Sequence, residues 1–482
     1  MTTPTTTALG LEHICSIDDI FQRHLLPYLT ATALGRLECT SPTLRTQILQ
    51  TSSGWKILCQ RDFVVELQHQ QQQQECLAPV YNTELQSFDE LKACPTWKEA
   101  YKQWVAWQSW THGGVKPKDL VKAIHLFCRL KVWLRQNNLQ SVLRSFAPCL
   151  EQNVFARLKE SRFPSGLLAL YSVHGGQKQL RPRSPDSDFF AGLFGGYTCY
   201  NNFYSMRLMH ANLFAAEEFR PREQDPIPVA MSPGNPRTYL FVMPPTHEDP
   251  EGSIAISNVL PIHGPSPSPR FQTVGHGGIL SYLETYADRV EAGYYQPIPI
   301  IPGAPTSTGI CLFPNAGPTV SCAVTRGIEV RASARWFPDL IDAGRENLNF
   351  GYSIRIRMVE NADFETCQLV GRHWAFIDGN GTVRRVDGEG VIGKQPLFFR
   401  ENNKSGYMDL GPAGDEERYP NSVFYYQSQS GPVAGTSVED THQSASVEGT
   451  FSFVPGSLEH PQGPMFHVTV ENFPLSVSLP FY

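Results

Sequence analysis

The string Gly388-Glu389-Gly390-Val391-Ile392-Gly393-Lys394-Gln395 has the residue types that phosphate chemistry uses. It matches G-x-G-x-x-G and nearly matches a Walker A loop, in which backbone N–H groups cradle phosphate and a lysine reaches the terminal oxygens. Both readings need a helix directly after the loop, because the helix N-terminus holds the anion. Pro396 and the strand-like Leu397-Phe398-Phe399 follow instead. Gln395 also stands where Walker A requires Ser or Thr for magnesium. Nucleotide hydrolysis and dinucleotide binding are therefore not expected. Two readings stay open: a nest of backbone N–H groups that holds an anion, or a glycine-rich turn between strands.

Other chemistry is sparse. There is no G-x-S-x-G elbow and no H-E-x-x-H helix. His373 stands alone in Gly371-Arg372-His373-Trp374, beside a predicted strand. Zinc needs about four N or S ligands, yet the 11 cysteines are scattered singly with no C-x-x-C pair and no RING-type spacing. No catalytic residue, metal or cofactor is expected, and the cysteines read as reduced thiols. The net charge of −6 argues against nucleic acid or anionic membrane as an obligatory partner. No apolar run reaches the ~20 residues of a membrane span, and Met1 to Ala8 lacks the pattern of a signal peptide. The expected location is the cytoplasm and nucleus, where the sequons at Asn380 and Asn403 stay unmodified.

The length of 482 residues suits about three domains. Ile17, Ile20, Phe21, His24, Leu25, Tyr28 and Leu29 fall on one helical face that Pro27 should bend. Short helices follow through Ala33, Leu34 and Leu37, from Ser41-Pro42 to Ile48, and over Gly54 to Cys59. The run Gln70 to Gln74 reads as a linker or a solvated helix end. Trp97, Tyr101, Trp104, Trp107 and Trp110 lie near helical spacing, and core packing explains them better than an aromatic binding face. The basic stretch from Lys116 to Arg162 reads as a solvated outer face rather than an RNA or lipid contact.

After Phe163 the texture is α+β, with a strand at Thr238 to Met243 and a helix at Ile279 to Gly293. Prolines from Pro297 to Pro318 mark a stiff, partly extended linker. Beyond Val324 the signal is nearly all strand. Ile354, Ile356 and Met358 alternate with Arg355 and Arg357, the pattern of a strand with one wet face. Asp378-Gly379-Asn380-Gly381 is a tight turn. Further strands are expected at 423–427, 449–454, 465–470 and 475–481, which together imply a β-sandwich.

Three parts resemble known families. Ile17 to Phe63 resembles an F-box, carried by Tyr28-Leu29, Ala33-Leu34-Gly35-Arg36-Leu37 and Trp55-Lys56-Ile57-Leu58-Cys59. Phe163 to Gly176, the string Gly192-Leu193-Phe194-Gly195-Gly196-Tyr197 and Ala292-Gly293-Tyr294-Tyr295 resemble a SUKH domain. The C-terminal third resembles the ApaG domain, an immunoglobulin-like (fibronectin III-like) sandwich. Its carriers are Gly327 to Val330, Tyr352 to Ile356, Arg372-His373-Trp374, Gly388 to Pro396 and Glu448 to Phe451. Polar insertions depart from that family between Arg400 and Pro420 and between Gly431 and Ser446.

This order is similar to F-box proteins of the SUKH–ApaG type. The resemblance implies an all-α F-box (11–66), a Gln-rich linker (67–95), a helical connector (96–160), an α+β SUKH-like domain (161–297), a Pro-rich linker (298–320) and an all-β ApaG domain (321–482). It implies a non-catalytic substrate receptor of an SCF ubiquitin ligase, whose partners are a Skp-type adaptor, a cullin and a target protein. The adaptor-facing residues would be Ile17, Phe21, Leu25, Leu29, Leu34, Leu37 and Trp55. The family's glycine motif implies an anion or pyrophosphate site at Arg372, His373, Gly388, Gly390, Gly393 and Lys394, so a nucleotide- or pyrophosphate-binding sensor is the alternative.

Overall fold

A computed structural model describes residues 29–40, 45–46, 53–63, 76–82, 87–111, 114–160, 163–178, 190–199, 202–211, 213, 225–232, 238–257, 271–301, 307–336, 348–401, 404–410, 416–436 and 445–476. Helices run α1 Ala31–Thr40, α2 Ser53–Phe63, α3 Trp97–Trp110, α4 Pro117–Gln136, α5 Gln140–Ser145, α6 Gln152–Glu160, α7 Ser165–Val173 and α8 Gly278–Glu291. Two compact units form: residues 1–130, 147–176 and 211–223, and residues 131–146, 177–210 and 224–482. The division cuts across the sequence-based boundaries, because 177–210 and 224–297 lie in the same unit as 321–482.

In the first unit α3 is started by Thr96, whose side chain accepts the Glu99 N–H at 3.2 Å. That is half of a capping box. The helix buries Trp97, Ala100, Trp104 and Trp107, so the aromatic run is core. Trp104 stacks on Phe63 of α2 at 5.5 Å and stands edge-on to Trp107 at 5.8 Å. The segment 67–95, expected as a linker, contains the hairpin β1 Cys76–Asn82 with β2 Ser87–Cys94. The Trp104 indole N–H donates to the Leu77 carbonyl at 3.1 Å and ties that hairpin to α3. In the basic stretch, α4 opens on Pro117 and turns Leu120, Ala123, Ile124 and Phe127 inward. Of its lysines and arginines, Lys118 and Arg135 are exposed and Lys122, Arg129 and Lys131 half-buried.

The second unit opens with small antiparallel sheets. Strands β3 Gly196–Cys199 and β4 Asn202–Ser205 form a pair. Strands β5 Arg207–Leu208, β6 Ile227–Ser232, β7 Thr238–Val242, β8 Ile254–Ser257 and β9 Gln272–Gly275 form a sheet in that order. Helix α8 buries Ile279, Leu280, Tyr282, Leu283, Tyr286, Ala287 and Val290. Gly293, just past its C-cap, adopts φ +77°, a left-handed conformation that glycine tolerates.

The Pro-rich segment was expected as a stiff, partly extended linker. It forms the hairpin β10 Pro297–Pro299 with β11 Thr308–Ile310, and Ile310, Cys311, Leu312 and Phe313 are buried. The reason lies in the following sandwich. Its strands are β12 Val320–Thr325, β13 Ile328–Trp336, β14 Leu348–Met358, β15 Thr366–Ile377, β16 Val383–Glu389, β17 Leu397–Glu401, β18 Lys404–Leu410, β19 Glu416–Tyr419, β20 Phe424–Val433, β21 Ala445–Pro455 and β22 Phe466–Leu475. Arg355 was expected on a wet face, yet it is 7% exposed. Its guanidinium donates to the carbonyls of Pro314 at 2.8 Å and Phe313 at 3.1 Å, and to Asn315 Oδ1 and Ser333 Oγ at 3.0 and 3.2 Å. A neighbouring stretch of chain thus covers the face that alternation alone left to water.

One sheet has the order β12-β13-β14-β20, and the other runs β19-β18-β17-β15-β21-β22 with β16 also on β15. Between them Tyr352 meets Trp374, Phe376 and Phe473 with ring centroids 6.0–6.4 Å apart. The Asp378–Gly381 turn joins β15 to β16. Asp378 Oδ1 accepts the N–H groups of Asn380 and Thr382 at 2.9 and 2.8 Å, and Gly381 supplies φ +80°.

Candidate functional site

Two places carry the sequence-derived candidates. In the first unit, Ile17, Phe21 and Leu25 lie outside the described residues. Leu34 and Trp55 are buried at 0% and 6% exposure. The Trp55 indole N–H donates to Glu38 Oε1 at 2.6 Å, and the second Glu38 oxygen pairs with Lys98. The Trp55 ring packs 5.4 Å from Tyr101, whose hydroxyl donates to Asp62 at 2.8 Å. Burial first, and that hydrogen bond next, raise the Tyr101 phenol far above its ordinary range. Leu29 and Leu37 are half-buried.

In the sandwich, five of the six candidates meet in one corner. Arg372 sits opposite Gly388 in the β15–β16 register. A Cβ on Gly388 would lie 2.9 Å from the guanidinium, so glycine makes room for it. That guanidinium donates to the Glu389 and Gly390 carbonyls at 3.1 and 2.7 Å. The glycine string is a hairpin tip: Val391 and Lys394 exchange N–H···O bonds of 2.8 Å, with Ile392 and Gly393 at φ +46° and +76°. Two left-handed central residues define a type I′ turn. The Gly390 N–H donates to the Val370 carbonyl at 2.9 Å. Three N–H groups that an anion nest would offer are thus already bonded, and the Lys394 ammonium pairs with Asp409. β17 follows, not a helix, so the phosphate-loop geometry is absent here.

An isoleucine in the left-handed region costs roughly 1–2 kcal/mol. Ile392 is also 37% exposed, so Ile392→Asn is expected to stabilise the chain by about 1 kcal/mol. The unfolding midpoint in urea checks this, and a lowered midpoint would mean that the Ile392 side chain packs against something at the tip.

His373, the sixth candidate, projects from the other face, as adjacent strand residues must. Its Nδ1 lies 2.7 Å from Asp387 Oδ1 and its Nε2 3.0 Å from Ser452 Oγ, which in turn lies 3.3 Å from His467 Nδ1. This chain crosses β16, β15, β21 and β22. Its atom order is that of a nucleophile, base and acid. Ser452, however, is 4% exposed in mid-strand, with its hydroxyl shared between two imidazoles. The arrangement therefore acts as a cross-strand tie. Its members lie 14, 65 and 15 positions apart in the order Asp387, Ser452, His467 around His373, and only the strand register reveals them.

On β13 and β14, Glu329 accepts from Arg331 at 2.9 Å and from Arg357 at 2.8 and 2.9 Å. Burial alone would raise its carboxyl, but the two guanidinium groups bring it below the ordinary value. Among the described residues, no group of three or more His, Cys, Asp or Glu could hold a metal ion, and no helix is long and apolar enough to cross a membrane.

Comparison with known proteins agrees with this architecture. A family model described as the ApaG domain matches residues 341–407. Over 497 aligned residues the chain is 27% identical to the F-box protein SKIP16 of Arabidopsis thaliana, covering 97% of this chain and 99% of that protein. A 77-residue stretch is 43% identical to the protein ApaG of Anaeromyxobacter dehalogenans, and a 76-residue stretch is 40% identical to the protein ApaG of Bradyrhizobium diazoefficiens. These alignments span 16% of this chain, and 58% and 56% of those bacterial proteins. The chain is thus multidomain, similar over nearly its whole length to an F-box protein, with an ApaG-domain match inside its C-terminal sandwich.

Proposed function

We propose that this chain is the substrate-recognition subunit of an SCF-type ubiquitin ligase, linking a target protein to a Skp-type adaptor and a cullin. The observation that carries the reading is the similarity to an F-box protein over 97% of the chain. The helical support formed by α1, α2 and α3 agrees with it. A small helical domain leaves apolar residues that a partner must cover, and half-buried Leu29 is of that kind. The SUKH-like domain and the sandwich would present the target. Ubiquitin transfer would then be the work of other subunits, and the chain itself is non-catalytic. The bonding already present in the glycine hairpin is why the pyrophosphate-sensor alternative is not preferred.

The experiment is co-precipitation of a Skp-type adaptor and cullin by the tagged full chain. Leu25→Asp places a charge in the adaptor contact that the F-box resemblance implies, and an unpaired charge in an apolar contact costs several kcal/mol. The adaptor should be captured by the unmutated chain and not by this variant. Equal capture by both overturns the proposed F-box contact.

A further inference from the structure

The outer face of the β16-β15-β21-β22 ladder carries a groove of about 480 Å3. Its floor is Ala375, His373, Thr450 and Thr469, which the register sets side by side. One wall is Arg385 and Asp387 on β16, and the other is Glu448, Glu471 and Asn472. Three strand spacings of ~4.8 Å make the groove roughly 14 Å across, wide enough for one extended segment.

Two features give it a charge preference. Three carboxylates face one guanidinium, and Asp387 is 68% exposed although His373 orients it. A bulge also sets Glu448 of β21 against Glu471 and Asn472 of β22, because the register jumps from Val447 opposite Phe473 to Gly449 opposite Val470. Like charges across neighbouring strands destabilise a sheet. Glu448 and Glu471 are both exposed, and no cation pairs with either among the described residues.

We propose that this face docks an extended basic segment of the recruited protein, with an arginine or lysine over Ala375 between Asp387 and the Glu448–Glu471 pair. The assignment rests on the receptor reading for the identity of the partner, while the charge and shape of the groove stand without it. Matching charge would chiefly speed encounter and fix register.

The test uses the full chain and a fluorescein-labelled Arg-Lys-Arg-Lys peptide, followed by fluorescence anisotropy. Saturable binding should weaken several-fold between 50 and 300 mM salt, as the ~10 Å screening length shortens. The double reversal Glu448→Lys, Glu471→Lys should weaken binding at least about tenfold, or about 1.4 kcal/mol. A control reversal of equal charge, Glu360→Lys with Glu459→Lys, should change it less than about twofold, within 0.4 kcal/mol. Equal loss in both double variants, equal binding of a Glu-Glu-Glu-Glu peptide, or no saturable binding overturns the docking face. Adaptor capture is read on the same samples. If the docking face fails while adaptor capture persists, the receptor reading survives, and absent capture by the unmutated chain counts against that reading alone.

Discussion

Arg355→Met is expected to cost about 3–5 kcal/mol through orphaned buried acceptors and to release residues 313–315 from the sandwich. The guanidinium is buried and serves four acceptors, two of them main-chain carbonyls. Methionine approximates its length but leaves those acceptors facing an apolar side chain, and each buried orphan costs about 1–3 kcal/mol. The Pro314 carbonyl keeps one donor, the Ser333 hydroxyl at 2.8 Å. Burial already pulls the Arg355 guanidinium below its ordinary value, which records the desolvation it sustains in the fold. Urea unfolding of the full chain should show the lowered midpoint, and limited proteolysis should open new cuts within 300–320. Arg355→Lys should rescue little, because an ammonium cannot span the same fork of acceptors. A loss below about 0.5 kcal/mol, within the range of an ordinary surface change, would mean that the segment is held by Ile310, Leu312 and Phe313 alone.

Trp55→Ala should cost a similar amount, about 3–5 kcal/mol, by leaving a cavity under α2. It also removes the N–H that satisfies Glu38, a carboxylate 6% exposed and left with Lys98 alone. The consequence is indirect loss of adaptor binding, with α1 and α2 no longer held on α3. Trp55→Phe helps separate the two contributions, since it keeps an aromatic ring in the site, though a smaller one, and loses the hydrogen bond. Far-ultraviolet circular dichroism should show helix loss for Trp55→Ala and none for Leu25→Asp, although both lose the adaptor. Wild-type helicity together with lost binding in Trp55→Ala would instead make Trp55 a contact residue.

What the sequence revealed depended on whether a residue's neighbours were local. The turn at Asp378–Gly381 and the helix at α8 were legible because proline, glycine and periodic apolar residues act over a few positions. The core role of Trp97, Trp104 and Trp107 was legible for the same reason. Arg355 was misread because alternation tells which residues share a face and not what covers it. The Pro-rich segment that covers it looked like a spacer by composition, yet Ile310 to Phe313 are buried. The hairpin of β1 and β2 was hidden behind a glutamine run that masked its pairing. The His373–Ser452–His467 tie needed the register of four strands, which no local pattern encodes.

The central claim is that the N-terminal helices dock a Skp-type adaptor, and the mass of the purified mixture tests it most directly. Light scattering on the full chain with excess adaptor should show one chain bound to one adaptor. Leu25→Asp should abolish that species while leaving the circular dichroism of the full chain unchanged. A full chain that is folded by circular dichroism and keeps its own mass in saturating adaptor would contradict the account.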